Sequence, residues 1–334
     1  MISSEKISNL ELKKTIFFGS VFLISTCIFS LLIINFFRIG LFMPLKLNFL
    51  IILLTFSLAT CPFLVNIDDP NLRLGNFFTK VSLIILTFFL LPLLGFASSS
   101  LYFFIVTISI FFALYKIKSF ALRVPFLSIF IIIVFSIFFS IINIPDKIEY
   151  FFSPEITSFG YGGNQTMQGA AITNIIKNYG IVSMGIDGLE SFQYKYHWGV
   201  YLWWAAIGKI SLSDGLYLVP FTRVAVLTPM IFYSLFIFTL SFLQNFSKSF
   251  LLFQITFFLV VFFDLMGGRL HYDSETYGAS IIVLLLILPS FLFFLKKKDY
   301  SKLDYLFIYF LIASIVPISC FKLTTGLIVC ILVF

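Results

Sequence analysis

The residues best suited to chemistry lie in one short polar run, from Gly267 to Glu275. His271, Asp273 and Glu275 occupy alternate positions there, and in an extended segment this spacing brings three side chains to the same side. One imidazole and two carboxylates suit Mg²⁺ or Mn²⁺, so the run is a candidate metal site with a divalent cation as cofactor. Asp273 or Glu275 is also a candidate catalytic carboxylate that would accept a proton from a substrate. A solvated loop has the same composition, so both interpretations stay open.

Four further residues are candidates for the same chemistry. Asp187 precedes Gly188 and is either a catalytic carboxylate or a turn residue. His197 stands among aromatic residues and is a catalytic base, a phosphate ligand or a histidine at the membrane interface. The guanidinium groups of Arg223 and Arg269 can bind a phosphate through paired hydrogen bonds, or they can anchor helix ends at lipid headgroups.

The composition is that of an integral membrane protein. Of the 334 residues, 60% are hydrophobic and only 11% are charged, whereas about 25% of the residues in soluble proteins are charged. The net charge of +7 comes from basic residues at the ends of apolar runs, as membrane insertion requires, and it does not indicate a nucleic-acid partner. The cysteines lie inside apolar runs without CxxC spacing, which favours packing over metal binding or disulfides: Cys27, Cys61, Cys320 and Cys330.

We predict an all-α fold, a polytopic helical membrane bundle with about ten apolar segments. A helix needs about 20 apolar residues to cross the hydrocarbon core of a bilayer. The first segment is too long for the apolar part of a cleaved signal peptide, so we interpret it as a span. In chain order the segments are Thr15 to Phe37, Leu47 to Ile67, Lys80 to Ala97, Ser99 to Tyr115, Val124 to Ile142, the short Val200 to Lys209, Val224 to Leu243, Phe250 to Leu265, Tyr277 to Leu295 and Tyr305 to Cys320.

These segments divide the chain into three parts. Residues 1–142 form an N-terminal bundle of about five transmembrane helices, and residues 224–334 contain the C-terminal transmembrane helices. Residues 143–223 form a long extracytoplasmic loop, which includes a Trp-rich segment with all three tryptophans of the protein. Because tryptophan concentrates at the boundary between lipid and water, we expect this segment to lie at the membrane interface.

The loop is also predicted to contain one amphipathic helix. Asn164 suits the N-cap position and Gly180 suits the position after the last helical residue. We expect this helix of about 15 residues to lie along the membrane surface or to pack on the bundle. Its apolar residues recur at helical spacing, namely Met167, Ala170, Ala171, Ile175 and Ile176, and its opposite face carries Gln168, Asn174 and Lys177.

Charge counting predicts the topology. Lys and Arg in short loops are retained in the cytoplasm. Their distribution fits best when the N-terminus is cytoplasmic and the Trp-rich segment dips into the membrane surface without crossing it. The long loop and Met266 to Thr276 then share the extracytoplasmic face, where they could form one site. The expected location is the cell membrane.

Several stretches resemble those of polytopic bacterial membrane proteins of the GT-C glycosyltransferase type. Ala170 to Gly180 is similar to the loop helix of these proteins, and Ser183 to Gly188 with Tyr196 to Gly199 is similar to their approach to the next membrane helix. Arg223 before one span and Asp273 before another are similar in placement. The resemblance extends over residues 143–295. It implies an enzyme that transfers a sugar from a polyprenyl-phosphate donor at the extracytoplasmic face.

The chain differs from that pattern in two respects. Such enzymes tend to have an acidic residue and a histidine at the start of the loop helix, where this chain has Asn164 and Gln168. Their catalytic loop follows the first span, whereas here five predicted spans precede it. A non-catalytic relative is therefore an alternative to an active glycosyltransferase. A flippase or transporter of a lipid-linked saccharide, and a polysaccharide polymerase, are further alternatives.

The last apolar run, Leu323 to Phe334, has no closing polar residue. At 1.5 Å per residue it would cover about 18 Å, little more than half of a bilayer core of about 30 Å. Natural spans end in residues that hold the interface. We therefore expect the C-terminal part to be truncated, as a fragment either of a longer gene product or of a disrupted reading frame, with further spans following Phe334.

Overall fold

The computed structural model describes residues 9–37, 45–65, 74–121, 126–143, 163–180, 198–243 and 275–295. Within these ranges all regular structure is helical, in agreement with the predicted all-α class. The α-helices are α1 (Asn9–Phe37), α2 (Leu45–Thr60), α3 (Leu74–Leu90), α4 (Ser99–Ala121), α5 (Phe126–Asn143), α6 (Gly163–Tyr179), α7 (Trp198–Ser211), α8 (Gly215–Thr222), α9 (Thr228–Leu243) and α10 (Glu275–Leu295).

Five helical stretches are long and apolar enough to cross a membrane, as the composition predicted for a polytopic protein. They are Lys13–Asn35, Leu45–Leu64, Phe77–Phe96, Ser99–Ile117 and Tyr217–Ser241. Two shorter apolar helical stretches, Phe126–Ile141 and Ala279–Phe291, match two more of the predicted segments. The predicted spans Phe250 to Leu265 and Tyr305 to Cys320, and the final run from Leu323, lie outside the described residues.

Helices α2 and α3 each end in a short 3-10 helix, Cys61–Leu64 and Leu91–Phe96. A proline stands near the start of each one, Pro62 and Pro92. Proline has no backbone N–H and therefore cannot continue the α-helical hydrogen-bond pattern. The chain tightens into 3-10 geometry instead, which frees a carbonyl at the end of α3 that is used below.

The directions of α1, α2 and α5 follow from hydrogen bonds between them. Ser140 Oγ donates to Thr26 O at 3.2 Å. One turn earlier in each helix, a second serine of α5 donates to a backbone carbonyl of α1. Because the two contacts follow the same order along both helices, α5 runs parallel to α1. Ser20 Oγ donates to Ala59 O at 2.5 Å, which brings the end of α2 to the early part of α1. Helix α2 is therefore antiparallel to α1. We call the end of the bundle where α1 and α5 begin the first end, and the opposite one the second end.

Helix α4 carries the chain back across the bundle. Near its C-terminus Lys116 Nζ donates to Leu64 O at 3.0 Å, so α4 ends beside the end of α2, at the first end. Its 23 residues span about 34 Å at 1.5 Å per residue. The start of α4 therefore lies at the second end. The 3-10 helix Leu91–Phe96 lies there too, because it contacts α4.

Helix α9 crosses in the direction opposite to α1. Gly19 lies so close to α9 that a Cβ atom there would stand 2.7 Å from the ring of Tyr233. This contact places the middle of α9 beside the early part of α1. Helices α3, α9 and α10 pack on one another and close the bundle. Cys27 and Cys61 are buried inside it, as the sequence predicted for packing cysteines.

Candidate functional site

Helices α6, α7 and α8 form a compact group at the second end, which we call the loop layer. It is joined to the bundle where α7 packs against the 3-10 helix Leu91–Phe96. A Cβ atom on Gly95 would lie 2.5 Å from the Ile210 side chain, so any larger residue there would require Ile210 to shift. Nearby, Lys209 Nζ lies 3.4 Å from Phe96 O and 5.5 Å from the centre of the Phe96 ring.

The position of the loop layer bears on the predicted topology. Helix α5 ends at the second end, and α8 begins there, directly after the turn that follows α7. Between Asn143 and Gly215 the chain therefore makes no net crossing of the bundle. The prediction that the Trp-rich segment does not cross the membrane requires the chain to enter and leave this region at the same end of the bundle, as it does here.

Helix α6 is the amphipathic helix predicted from the sequence. It begins at Gly163, one residue before the expected N-cap Asn164. It ends as predicted, because Gly180 has a φ of +80° and its N–H donates to Ile176 O at 2.9 Å. The buried face differs from the expected one: Ala170, Ile172, Thr173 and Ile176 are buried, whereas Ala171 is exposed. The helix packs on α7 and α8 rather than lying alone on a surface.

The expected polar face of α6 is partly engaged in this packing. Asn174 Nδ2 donates to Asp214 Oδ1 at 3.1 Å, and Asn174 Oδ1 accepts from the N–H of Gly215 at 3.0 Å. Lys177 Nζ donates to Ser213 O at 2.9 Å. These bonds hold the turn between α7 and α8. Asn174 and Lys177 of the predicted polar face thus dock α6 on the α7–α8 turn.

The Trp-rich helix α7 is packed against other helices of the protein, and its location at the membrane interface stays a prediction. Trp203 and Trp204 are both 0% exposed. Trp203 Nε1 donates to Phe89 O at 2.7 Å, and its ring stacks on the Phe89 ring with centroids 5.1 Å apart. A buried indole is favourable only when its N–H finds an acceptor, and the irregular end of α3 offers one. Sequence composition alone cannot reveal such an acceptor.

Arg223 occupies a different place from the one that its sequence context indicated. The sequence placed it just before a span, but it lies inside an uninterrupted helical stretch from Gly215 to Leu243. It is the first residue of a π-turn, Arg223–Leu227, within the candidate span Tyr217–Ser241. The side chain is half-buried and its Nε atom is buried. The π-turn contacts α1, α2 and α10.

The π-turn is held by bonds on both sides. Thr228 donates its backbone N–H to Arg223 O, and its Oγ1 donates to the same oxygen at 3.0 Å. On the other side, Trp204 Nε1 donates to Thr222 Oγ1 at 2.7 Å. Neither Thr222 nor Thr228 was predicted from the sequence as a site residue. The only signal in the sequence for such a site was a basic residue in an apolar run with a hydroxyl residue on each side of it.

The other candidate site residues are distributed as follows. Glu275 is the first residue of α10, which contacts α6, α7 and the π-turn of Arg223. Helix α10 therefore packs against the π-turn that contains Arg223. The candidates outside the described residues are Asp187, His197, Arg269, His271 and Asp273. Over the described ranges no group of three His, Cys, Asp or Glu side chains is placed to hold a metal ion.

Comparisons with protein-family models, curated proteins and solved structures found no match for this chain. The best-defined element of the candidate site in the structure is Arg223, with the hydrogen bonds around it.

Proposed function

We propose that this protein binds a polyprenyl-phosphate sugar through Arg223 and transfers the sugar at the second end of the bundle. The first end, with the N-terminus, would be cytoplasmic, and the membrane would be the bacterial inner membrane. The resemblance to GT-C glycosyltransferases motivates the reaction. The observation that carries the proposal is the position of an arginine inside an apolar helical stretch, beneath the loop layer.

The depth of Arg223 suits a lipid-linked phosphate. It follows Gly215, the first residue of α8, by eight positions, which is about 12 Å along a helix at 1.5 Å per residue. A charged side chain inside the membrane is costly, and such residues usually serve a function. Guanidinium groups bind phosphate oxygens in a paired geometry, and π-turns are frequent at functional sites. Arg223 would thus hold the phosphate while the prenyl chain stays in lipid.

In the proposed reaction an acceptor hydroxyl attacks the anomeric carbon of the sugar, with inversion. Its proton passes to a carboxylate, for which Asp187, Asp273 and Glu275 are the candidates, with His197 as an alternative base. The bond from the anomeric carbon to the phosphate oxygen breaks, and polyprenyl phosphate leaves. Arg223, together with Arg269, would stabilise the charge on the leaving phosphate. A divalent cation held by His271, Asp273 and Glu275 would stabilise the same charge.

A flippase for a lipid-linked saccharide is the second candidate, and one observation favours it. Transporters place charges at irregular points of their membrane helices, and Arg223 lies at a π-turn inside a candidate span. A polymerase of such saccharides would use the same donor site. Arg223 would bind the phosphate in each case, so the assays have to separate transfer from movement across the membrane.

The test uses purified protein in liposomes that contain a polyprenyl-phosphate sugar. Arg223→Gln should abolish product formation, and Arg223→Lys should lower it strongly, because an ammonium group cannot make the paired contact. Lys80→Gln is the matched control, since Lys80 is an exposed basic residue of another candidate span. The flippase would be favoured if the unchanged protein moves the sugar across the membrane without forming transferred product, and if Arg223→Gln loses that movement. Unchanged activity of Arg223→Gln in both assays would refute the proposal.

A further inference from the structure

We propose that Trp204 is a positioning residue that holds Arg223 in its phosphate-binding orientation. The inference rests on the proposed phosphate site and adds a residue to it. Trp204 itself is fully buried and lies on α7, in the loop layer. It acts through Thr222, the residue directly before Arg223 in the chain.

The local geometry shows why Arg223 needs such support. An α-helix turns by about 100° per residue, but a π-turn takes an extra residue and changes the direction of the side chains within it. The direction of Arg223 therefore depends on where the π-turn starts. If the turn moved by one residue along the helix, the guanidinium group would point to a different part of the bundle.

Two sets of hydrogen bonds hold the start of the π-turn at Arg223. Thr222 Oγ1 donates to Leu218 O at 2.7 Å and accepts from Trp204 Nε1 at 2.7 Å. The last turn of α8 is thereby joined to α7. On the other side Thr228 holds the carbonyl of Arg223 through its N–H and its hydroxyl. Among these bonds, the one from Trp204 joins the residue directly before Arg223 to a different helix, α7, so it helps to fix the rotation of the end of α8.

Trp203 supplies a matched control. It neighbours Trp204, is equally buried, and also donates an indole hydrogen bond of 2.7 Å. Its acceptor, however, is Phe89 O on α3 rather than Thr222. Replacing either tryptophan with phenylalanine removes one buried N–H donor and keeps an aromatic ring. The two variants should therefore lose similar stability, but only Trp204→Phe should alter Arg223.

The experiment measures binding of farnesyl phosphate to the full chain in detergent, with farnesol as the uncharged probe. Trp204→Phe and Thr222→Val should each weaken farnesyl phosphate binding about five- to tenfold, as expected for one buried hydrogen bond. The double variant should be no weaker than either single variant, because both changes remove the same bond. Trp203→Phe should stay within about twofold of the unchanged protein, and farnesol binding should not change in any variant.

The outcomes separate this inference from the proposed function. If Arg223→Gln loses farnesyl phosphate binding while Trp204→Phe keeps it, the phosphate site stands and the role of Trp204 is refuted. If Trp203→Phe weakens binding as much as Trp204→Phe, the effect is general loss of structure and the positioning role is also refuted. If Arg223→Gln binds farnesyl phosphate normally, the proposed function itself fails.

Discussion

The side-chain amide of Asn174 donates a hydrogen bond of 3.1 Å to the carboxylate of Asp214, which is 40 residues later in the chain. The same side chain accepts a bond from the N–H of Gly215. One residue of α6 thus binds the first N–H of α8 and the residue before it. The loop helix is therefore docked by a specific polar contact in addition to its apolar face.

Asn174→Ala should destabilise this docking. The N–H of Gly215 would lose its partner, and an unpaired group of this kind costs about 1–3 kcal/mol. The apparent Tm of the protein in detergent should fall by several degrees. Asn178→Ala is the control, because Asn178 is an exposed residue of the same type on the same helix. Equal Tm values for the two variants would contradict the assigned role of Asn174.

Gly215→Ala should lower the Tm more than Gly180→Ala. A Cβ atom on Gly215 would lie 2.5 Å from the backbone oxygen of Ala170, so α6 would have to move away from α8. At Gly180 there is open space, and the substitution costs only the strain of a positive φ, about 1 kcal/mol. Thermal unfolding of the two variants in the same detergent tests the order. The reverse order would show that α6 and α8 are not in close contact.

Leu212→Gly should raise stability. Leu212 ends α7 with a φ of 56°, and the following N–H of Ser213 donates to Gly208 O at 3.1 Å. This helix-ending motif favours glycine at the Leu212 position, because a side chain there costs about 1–2 kcal/mol. Leu212→Ala keeps that strain and serves as the control for loss of the exposed side chain. A Tm for Leu212→Gly at or below that of Leu212→Ala would contradict the prediction.

Cysteine labelling in intact cells tests the topology. In a background with the native cysteines replaced, Leu212→Cys at the second end and Lys116→Cys at the first end should react from opposite sides of the membrane. The charge distribution further predicts that position 273 is reachable from outside and position 297 is not. Labelling of 212 and 116 from the same side would overturn the assigned helix directions. Labelling of 297 but not 273 would separate the two halves of the predicted extracytoplasmic site.

Asp273→Asn should abolish sugar transfer while leaving expression and membrane insertion unchanged. The change removes the carboxylate that would bind the metal or accept the proton, and it keeps nearly the same volume. Asn164→Asp is the complementary variant, because it introduces the acidic residue that GT-C enzymes tend to have at this point. We expect that variant to increase transfer. Full activity of Asp273→Asn would remove Asp273 from the candidate residues.

The sequence by itself determined the class of protein and most of the element positions. Hydropathy is a local property, so the apolar runs that contain Ile16, Leu54 and Val106 could be recognised as membrane helices without any tertiary contact. The end of α6 at Gly180 was also predictable, because the preference for glycine at a positive φ is a property of one residue. Charge counting predicted that α7 makes no net crossing, and the helix directions agree.

Tertiary structure alone decided the surroundings of the polar groups. The depth of Arg223 depends on α8 and α9 joining into one helical stretch, although the sequence places Arg223 just before a span. The burial of Trp204 depends on Thr222, and the role of Asn174 depends on Asp214. Trp204 and Asn174 are each stabilised by a partner on another part of the fold. Hydrophobic periodicity carries no information about such partners, so only the packing of the helices could reveal them.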